Sequence, residues 1–284
     1  MLWTDVSTVL KKRDNIVIRR KTEPPRGVLK TEGPEQPYRH RRYHASPDLD
    51  PFVEHYWSVD WDLRGRPSQR VETLPHPSVH MTFECDQKSE IRGPSLAKFA
   101  RFLEGKERVF AVKFRPGGFY PFVRVYVSRF ADVVMSIKDV FGPEGLDLDR
   151  AVLKSDDDAP CIAAVETFFR ARRPRADENA KRASEIVYAI ARERGILKVQ
   201  DLVDRYEMDK RTLQRLFARY VGVSPKWVIQ RYRLHEAAEQ LATSAIIGQS
   251  ELALALGYSD QAHFIRDFKA IVGVSPAAYA RHSK

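Results

Sequence analysis

The chain has 284 residues, 43% apolar and 11% aromatic, with a formal net charge of +10. Two domains with real cores are the natural reading of that length. No apolar run approaches the roughly 20 residues that cross a bilayer, and no basic-then-apolar leader opens the sequence, so membrane insertion and secretion are not expected. Cys85 and Cys161 are far apart and lie in no CxxC pair, which points to a reducing cytoplasm with both thiols buried and inert. The charge is uneven: about +6 over residues 1–45, about +5 over 174–284 and about −1 between them. The basic ends, rather than the neutral middle, are therefore the parts that would meet a polyanion.

Residues 1–42 carry KKR and RRK clusters with several prolines and glycines. They read as a basic, loosely ordered arm with one short strand at Asn15–Ile18, and such a terminus is ordinarily a solvated tail. Residues 43–172 read as a β-rich sensor or dimerisation domain that ends in helices. Strands are predicted at Phe52–Trp61, Val79–Cys85 and Arg108–Phe114, from aromatic and β-branched content or from alternation. Turn signals at Gly65, Pro67 and Arg115-Pro116-Gly117-Gly118 separate them. A sandwich or a small barrel over about 45–125 satisfies this pattern. Helices follow at Asp147–Leu153 and Ala159–Arg172. The polar, proline-bearing run 173–180 reads as a linker, and 181–284 as an all-helical domain. The fold class is α+β.

In that last domain one stretch is used twice. Leu213, Arg215, Phe217, Val221, Gly222, Val223, Ser224 and Pro225 recur 51 residues on as Phe264, Arg266, Phe268, Val272, Gly273, Val274, Ser275 and Pro276. A repeat of this length is one supersecondary unit present in two copies. Each copy reads as a short helix, a tight turn and a second helix: Val199–Tyr206 then Lys210–Tyr220, and Ser250–Leu256 then Gln261–Val272. Between them a long helix starts at Ser224-Pro225, an N-cap followed by proline at the first helical position, and ends near Ala242. The second helix of each copy pairs an apolar stripe with a polar, basic face. Arg and Gln are the side chains that read guanine and adenine edges in the major groove.

The stretches RTLQRLF, VGVSPKWVIQRYRL and ALALGYSDQAHFIRDFKAIVGVSPAAY closely resemble the tandem helix-turn-helix domain of AraC/XylS-type bacterial transcription regulators, over about 80 residues. The resemblance implies a cytoplasmic transcription regulator that reads two successive major-groove segments of promoter DNA and works with RNA polymerase. It implies DNA-facing residues Lys210, Arg211, Gln214, Arg215 and Arg219 in the first copy, and Gln261, Ala262, His263 and Arg266 in the second. Arg215 and Arg266 are equivalent, and hold phosphate or brace the fold as readily as they read bases. The copies differ upstream: Val203 and Glu207 stand where the second has Ala253 and Gly257, and the first turn is one residue shorter. Different helix packing is expected there, with the second copy in the more regular geometry.

In that family the N-terminal domain senses a small molecule or forms a homodimer, and many such domains are cupin-like barrels. LPHPSVHMTFE and VFAVKFRPGGFYPF resemble a branch with no assigned ligand, so no effector-binding residue is carried over. His76, His80 and Glu84 have four-residue spacing, but the alternation of 79–85 argues for a strand and against a metal site. The Arg115–Gly118 turn could approach an anion but reads first as a plain strand turn. Tyr56, Trp57, Trp61, Phe119, Tyr120 and Phe122 read as core. No catalytic motif is present, and neither enzyme activity nor a cofactor is expected. The competing readings are a non-specific architectural DNA-binding protein and an N-terminal enzyme or repair module fused to a DNA-binding domain.

Overall fold

The computed structural model describes residues 19–21, 38–85, 89–243 and 248–282, and the statements below concern these residues. The strand expected at Asn15–Ile18 and most of the expected arm lie outside them. Residues 19–21 lie alongside the first strand, where Arg20 bridges Tyr43 and the Lys21 N–H donates to the Arg42 carbonyl at 2.8 Å.

The strands are β1 (Tyr38–Tyr43), β2 (Val53–Asp62), β3 (Gln69–Thr73), β4 (His80–Phe83), β5 (Glu90–Arg92), β6 (Phe99–Leu103), β7 (Lys106–Phe114) and β8 (Val134–Ser136). Six form an antiparallel sheet in the order β1-β2-β7-β4-β5-β8, while β3 and β6 pair in a separate ribbon. The helices are α1 (Tyr120–Val123), α2 (Ile137–Phe141), α3 (Pro143–Leu153), α4 (Asp158–Ala171), α5 (Glu178–Arg192), α6 (Val199–Tyr206), α7 (Lys210–Tyr220), α8 (Pro225–Thr243), α9 (Gln249–Ala255), α10 (Gln261–Val272) and α11 (Pro276–His282).

Successive strand side chains point to opposite faces, and the two faces of the large sheet have different work. Tyr56, Met81, Phe83, Phe110, Val112 and Phe114 pack towards α3 and α4 around Val165 and Phe169. Trp57, Val59, Trp61 and Val109 meet Val71 and Leu103 of the ribbon. Asp158, at the start of α4, is buried under the first face. It accepts hydrogen bonds from Tyr43 Oη at 2.6 Å, Ser58 Oγ at 3.1 Å and Arg108 at 2.6 Å, and Arg41 lies 2.8 Å away. Buried carboxylates survive only with such donors.

The apolar core does not stop at the sheet. It continues through α5, α6 and α7 to Val228 and Ile229 at the start of α8. A second core holds Leu234, Ala237, Ala238 and Leu241 of α8 with Phe264, Phe268 and their neighbours, and it also contains Leu74 from the loop after β3. The Arg115–Gly118 turn lies against α5: a β-carbon on Gly117 (φ +86°) would sit 2.6 Å from the Ala180 carbonyl oxygen, and Arg115 bonds Asp50 and Tyr188. Tyr56, Trp61, Phe119 and Tyr120 are buried, while Trp57 and Phe122 are half-buried. Cys161 is buried as expected, but Cys85 is exposed, because it lies in the turn just after β4 rather than on its inner face.

His80 sits beside Trp57 and His76. Glu84 turns instead to Arg101 at 2.8 Å, and the described residues contain no cluster able to hold a metal. Burial, with the positive charges of Lys113 and Arg92, pushes His80 down to about 3; burial, with Arg42, pushes His40 down to about 4. A free imidazole titrates near 6.5. Above that value these rings are neutral in both folded and unfolded chains. Below it the unfolded chain takes up protons that the folded chain refuses, so stability falls as pH drops. Urea midpoints are expected to decline from pH 6.5 towards 4, and His80→Gln should make that decline shallower.

Candidate nucleic-acid interface

Each helix-turn-helix unit is built from the same local devices. In the first, the Asp201 carboxylate accepts the N–H groups of Leu197 and Lys198 at 2.8 and 2.9 Å and so starts α6. That helix stops at Glu207, which adopts left-handed backbone at φ 49°, and the Met208 N–H closes on the Val203 carbonyl at 3.3 Å. In the second unit Gly257 is left-handed at φ 81°, and the Tyr258 N–H closes on the Ala253 carbonyl at 3.0 Å. Both units thus close with a left-handed residue followed by a bond to the carbonyl five residues back. Glutamate adopts at some cost in strain the conformation that glycine reaches freely. The copies diverge one step later, where the second inserts an extra residue before its next helix.

Both recognition helices then begin on an aspartate. Asp209 accepts the Thr212 N–H at 2.9 Å, and Asp260 accepts the His263 N–H at 2.7 Å. These carboxyls are held below the ordinary range, Asp209 chiefly by the Thr212 side chain and Asp260 by the His263 backbone. An ionised aspartate at this position caps the helix and complements its positive end. The capping role is legible in hindsight as Asp followed by a basic, apolar-periodic run.

The helical period separates the faces. In α7, Leu213, Leu216, Phe217 and Tyr220 are buried, while Lys210, Arg211, Gln214 and Arg215 are exposed together. In α10, Phe264, Phe268, Ile271 and Val272 are buried, while Gln261, Ala262 and Arg266 are exposed. His263 is half-buried, edge-on to Tyr258 and 3.3 Å from Asp267. Gln261 accepts from Ser250 Oγ at 2.8 Å. Arg219 points elsewhere. It is half-buried, donates to Tyr120 Oη, and lies over the rings of Tyr120 and Tyr126 at 4.7 and 5.7 Å.

Helix α8 joins the units. Its buried residues include Val228, Ile229, Arg231, Arg233, Leu234, Ala237, Ala238 and Leu241. Tyr232 is half-buried. Nothing in the sequence pattern marks the two arginines as interior, since charged residues on a helix read as its wet face.

Residues 202–282 match a family described as a helix-turn-helix domain. The C-terminal region is an AraC-type helix-turn-helix domain. Residues 41–136 match a family described as a domain of unknown function (DUF6597). The AraC-type domain aligns with the HTH-type transcriptional activator AarP of Providencia stuartii, 34% identical over 83 residues, 29% of this chain and 61% of that protein. An uncharacterized HTH-type transcriptional regulator of Bacillus subtilis, YfiF, is 28% identical over 137 residues, 46% of this chain and 43% of that one. The chain spans less than two thirds of the length of the curated relatives it matches. Among solved structures, the C-terminal domain of AraT from Geobacillus stearothermophilus is 24% identical, covering 38% of this chain and 88% of that one at a TM-score of 0.33. ToxT from Vibrio cholerae is 11% identical, covering 87% and 98% at 0.34. No described helix is long and apolar enough to cross a membrane.

The strained turn gives a direct test of the first unit. Glu207→Gly is expected to raise stability by about 0.5–1 kcal/mol, read from urea unfolding. Gly257→Ala should lower it, because φ is positive and the new β-carbon would lie 3.1 Å from Leu197 Cβ.

Proposed function

We propose that the protein is a sequence-specific DNA-binding transcription regulator that lays α7 and α10 in successive major-groove segments. The observation that carries this reading is the pair of aspartate-capped helices, each with its exposed polar face, fixed to one connecting helix. At 19 residues and 1.5 Å per residue, α8 is about 28 Å long. That suits two helices that must enter the groove about 34 Å apart, one turn of duplex.

In this reading Arg211, Gln214 and Arg215 of the first unit and Gln261, Ala262, His263 and Arg266 of the second lie towards base edges, and Lys210 towards phosphate. Arg219 is held by tyrosines of the N-terminal half, so its part is to seat α7 rather than to touch DNA. The relatives' description as transcriptional regulators supports a role at promoters, alongside RNA polymerase. The N-terminal half is then the regulatory part, open to a small effector or a second copy, and the division falls at the irregular residues 173–177. A binding role of this kind requires no catalysis.

Selection from random duplex DNA by the full chain tests the proposal. A two-part motif is expected, and no enriched motif would rule out sequence-specific reading. Arg211→Ala and Arg266→Ala should each weaken binding to the selected site by about 1–3 kcal/mol if they read bases, and relax preference at one position. A uniform loss with a shallower salt slope would mark the residue as a phosphate contact instead.

A further inference from the structure

Helix α8 serves two cores, and its polar seam lies between them. Val228 and Ile229 belong to the core shared with the N-terminal sheet. Leu234, Ala237, Ala238 and Leu241 belong to the core of the second unit. Arg231 and Arg233, both nearly fully buried at 2% and 3% exposure, stand at the crossing. Arg233 donates to the Ile190 carbonyl at the end of α5 and pairs with Glu236 at 3.0 Å. Arg231 is different, for its partners come from the N-terminal half. Its Nε donates to the Pro75 carbonyl at 2.6 Å, a terminal nitrogen lies 3.1 Å from His76 Nδ1, and its plane covers the Tyr232 ring at 4.5 Å. Among the described residues none of these partners is acidic.

A buried guanidinium with no carboxylate in hydrogen-bond contact, drawing on Glu54 and Glu239 only through longer-range attraction, is a costly way to stabilise a fold, and an apolar side chain of the same length would fill the space at less cost. What the planar fork adds is geometry, because it fixes both the rotation and the depth of the helix that carries it. The neighbouring residue Leu74 is also buried, inside the core of the second unit rather than that of its own sheet. The same half of the protein touches the two repeat turns. A β-carbon on Gly222 would lie 3.1 Å from Pro94 Cγ, and one on the equivalent Gly273 would lie 2.3 Å from Lys98 Nζ. From α8 itself, Gln230 holds Asp267 of α10 at 2.9 Å. The rotation of α8 is therefore passed directly to the second recognition helix.

We infer that the segment Leu74–His76 of the N-terminal half sets the separation of the two recognition helices, and that Arg231 is the positioning residue through which it acts. This rests on the DNA-reading function proposed above. The N-terminal half then controls DNA choice through the spacing between two half-sites, with both recognition faces left open.

The test uses the full chain and the two half-sites obtained by selection. Duplexes carry them at the selected spacing and with one base pair inserted or removed. The wild-type chain should lose about tenfold or more in affinity at the altered spacings, a loss comparable to a mismatched base pair. Arg231→Met, which keeps the bulk of the side chain, should reduce that penalty to about threefold or less while selecting the same half-site sequences. If Arg231→Met does not fold, as judged by circular dichroism and melting, the milder His76→Ala takes its place. A folded Arg231→Met or His76→Ala protein with an unchanged penalty overturns the inference and leaves the DNA-reading function intact. A wild-type chain that selects no two-part site overturns both.

Discussion

A guanidinium among apolar side chains has lost its water and needs acceptors in a fixed plane. Arg231 meets that need with a carbonyl and an imidazole from a loop more than 150 residues earlier in the chain. Much of the remaining architecture follows from this attachment. Arg231 ties α8 to the N-terminal half, where Leu74 also enters the second core and the loop carrying Pro94 and Lys98 lies against both repeat turns. The N-terminal sheet and the first helix-turn-helix unit share one apolar core. The second unit is attached mainly through α8 and this loop, so it is the part whose placement depends on a few polar contacts.

The uneven charge of the sequence has a structural counterpart. In the near-neutral middle, arginines and acids are consumed by one another: Arg108 with Asp158, Arg101 with Glu84 and Glu107, Lys113 with Glu54. On α7, by contrast, Lys210 and Arg211 stand exposed. Paired charges produce little field at a distance, whereas a row of exposed cations attracts a polyanion from beyond contact range.

How far the sequence could be read depended on whether burial followed period. The helices α6, α7 and α10 stand where their apolar stripes, turn residues and caps put them, because every local signal agrees. Strands β2 and β7 were visible for the same reason. The ribbon of β3 and β6 was not, since Gln69–Thr73 is mostly polar and half-buried, Phe99–Leu103 is largely exposed, and neither shows clean alternation. β5 and β8 have three residues each, too few to show any period. Among site residues the exposed faces of the recognition helices were legible from type and spacing. Arg219 and Arg231 were not, because the partners that claim them, Tyr120 and the Pro75–His76 loop, are distant in sequence, and no helical pattern records a contact made with another domain.

The two units follow one another in a single chain, and their exposed faces are not copies. Lys210, Arg211, Gln214 and Arg215 present one set of chemical groups; Gln261, Ala262, His263 and Arg266 present another. A symmetric dimer meets a palindrome and cannot tell its left from its right. A chain with two unlike heads in fixed order reads an oriented sequence, so under the proposed function each bound molecule has a front and a back along the duplex. Whatever it offers to other proteins is thereby aimed upstream or downstream, and reversing the site would reverse the aim.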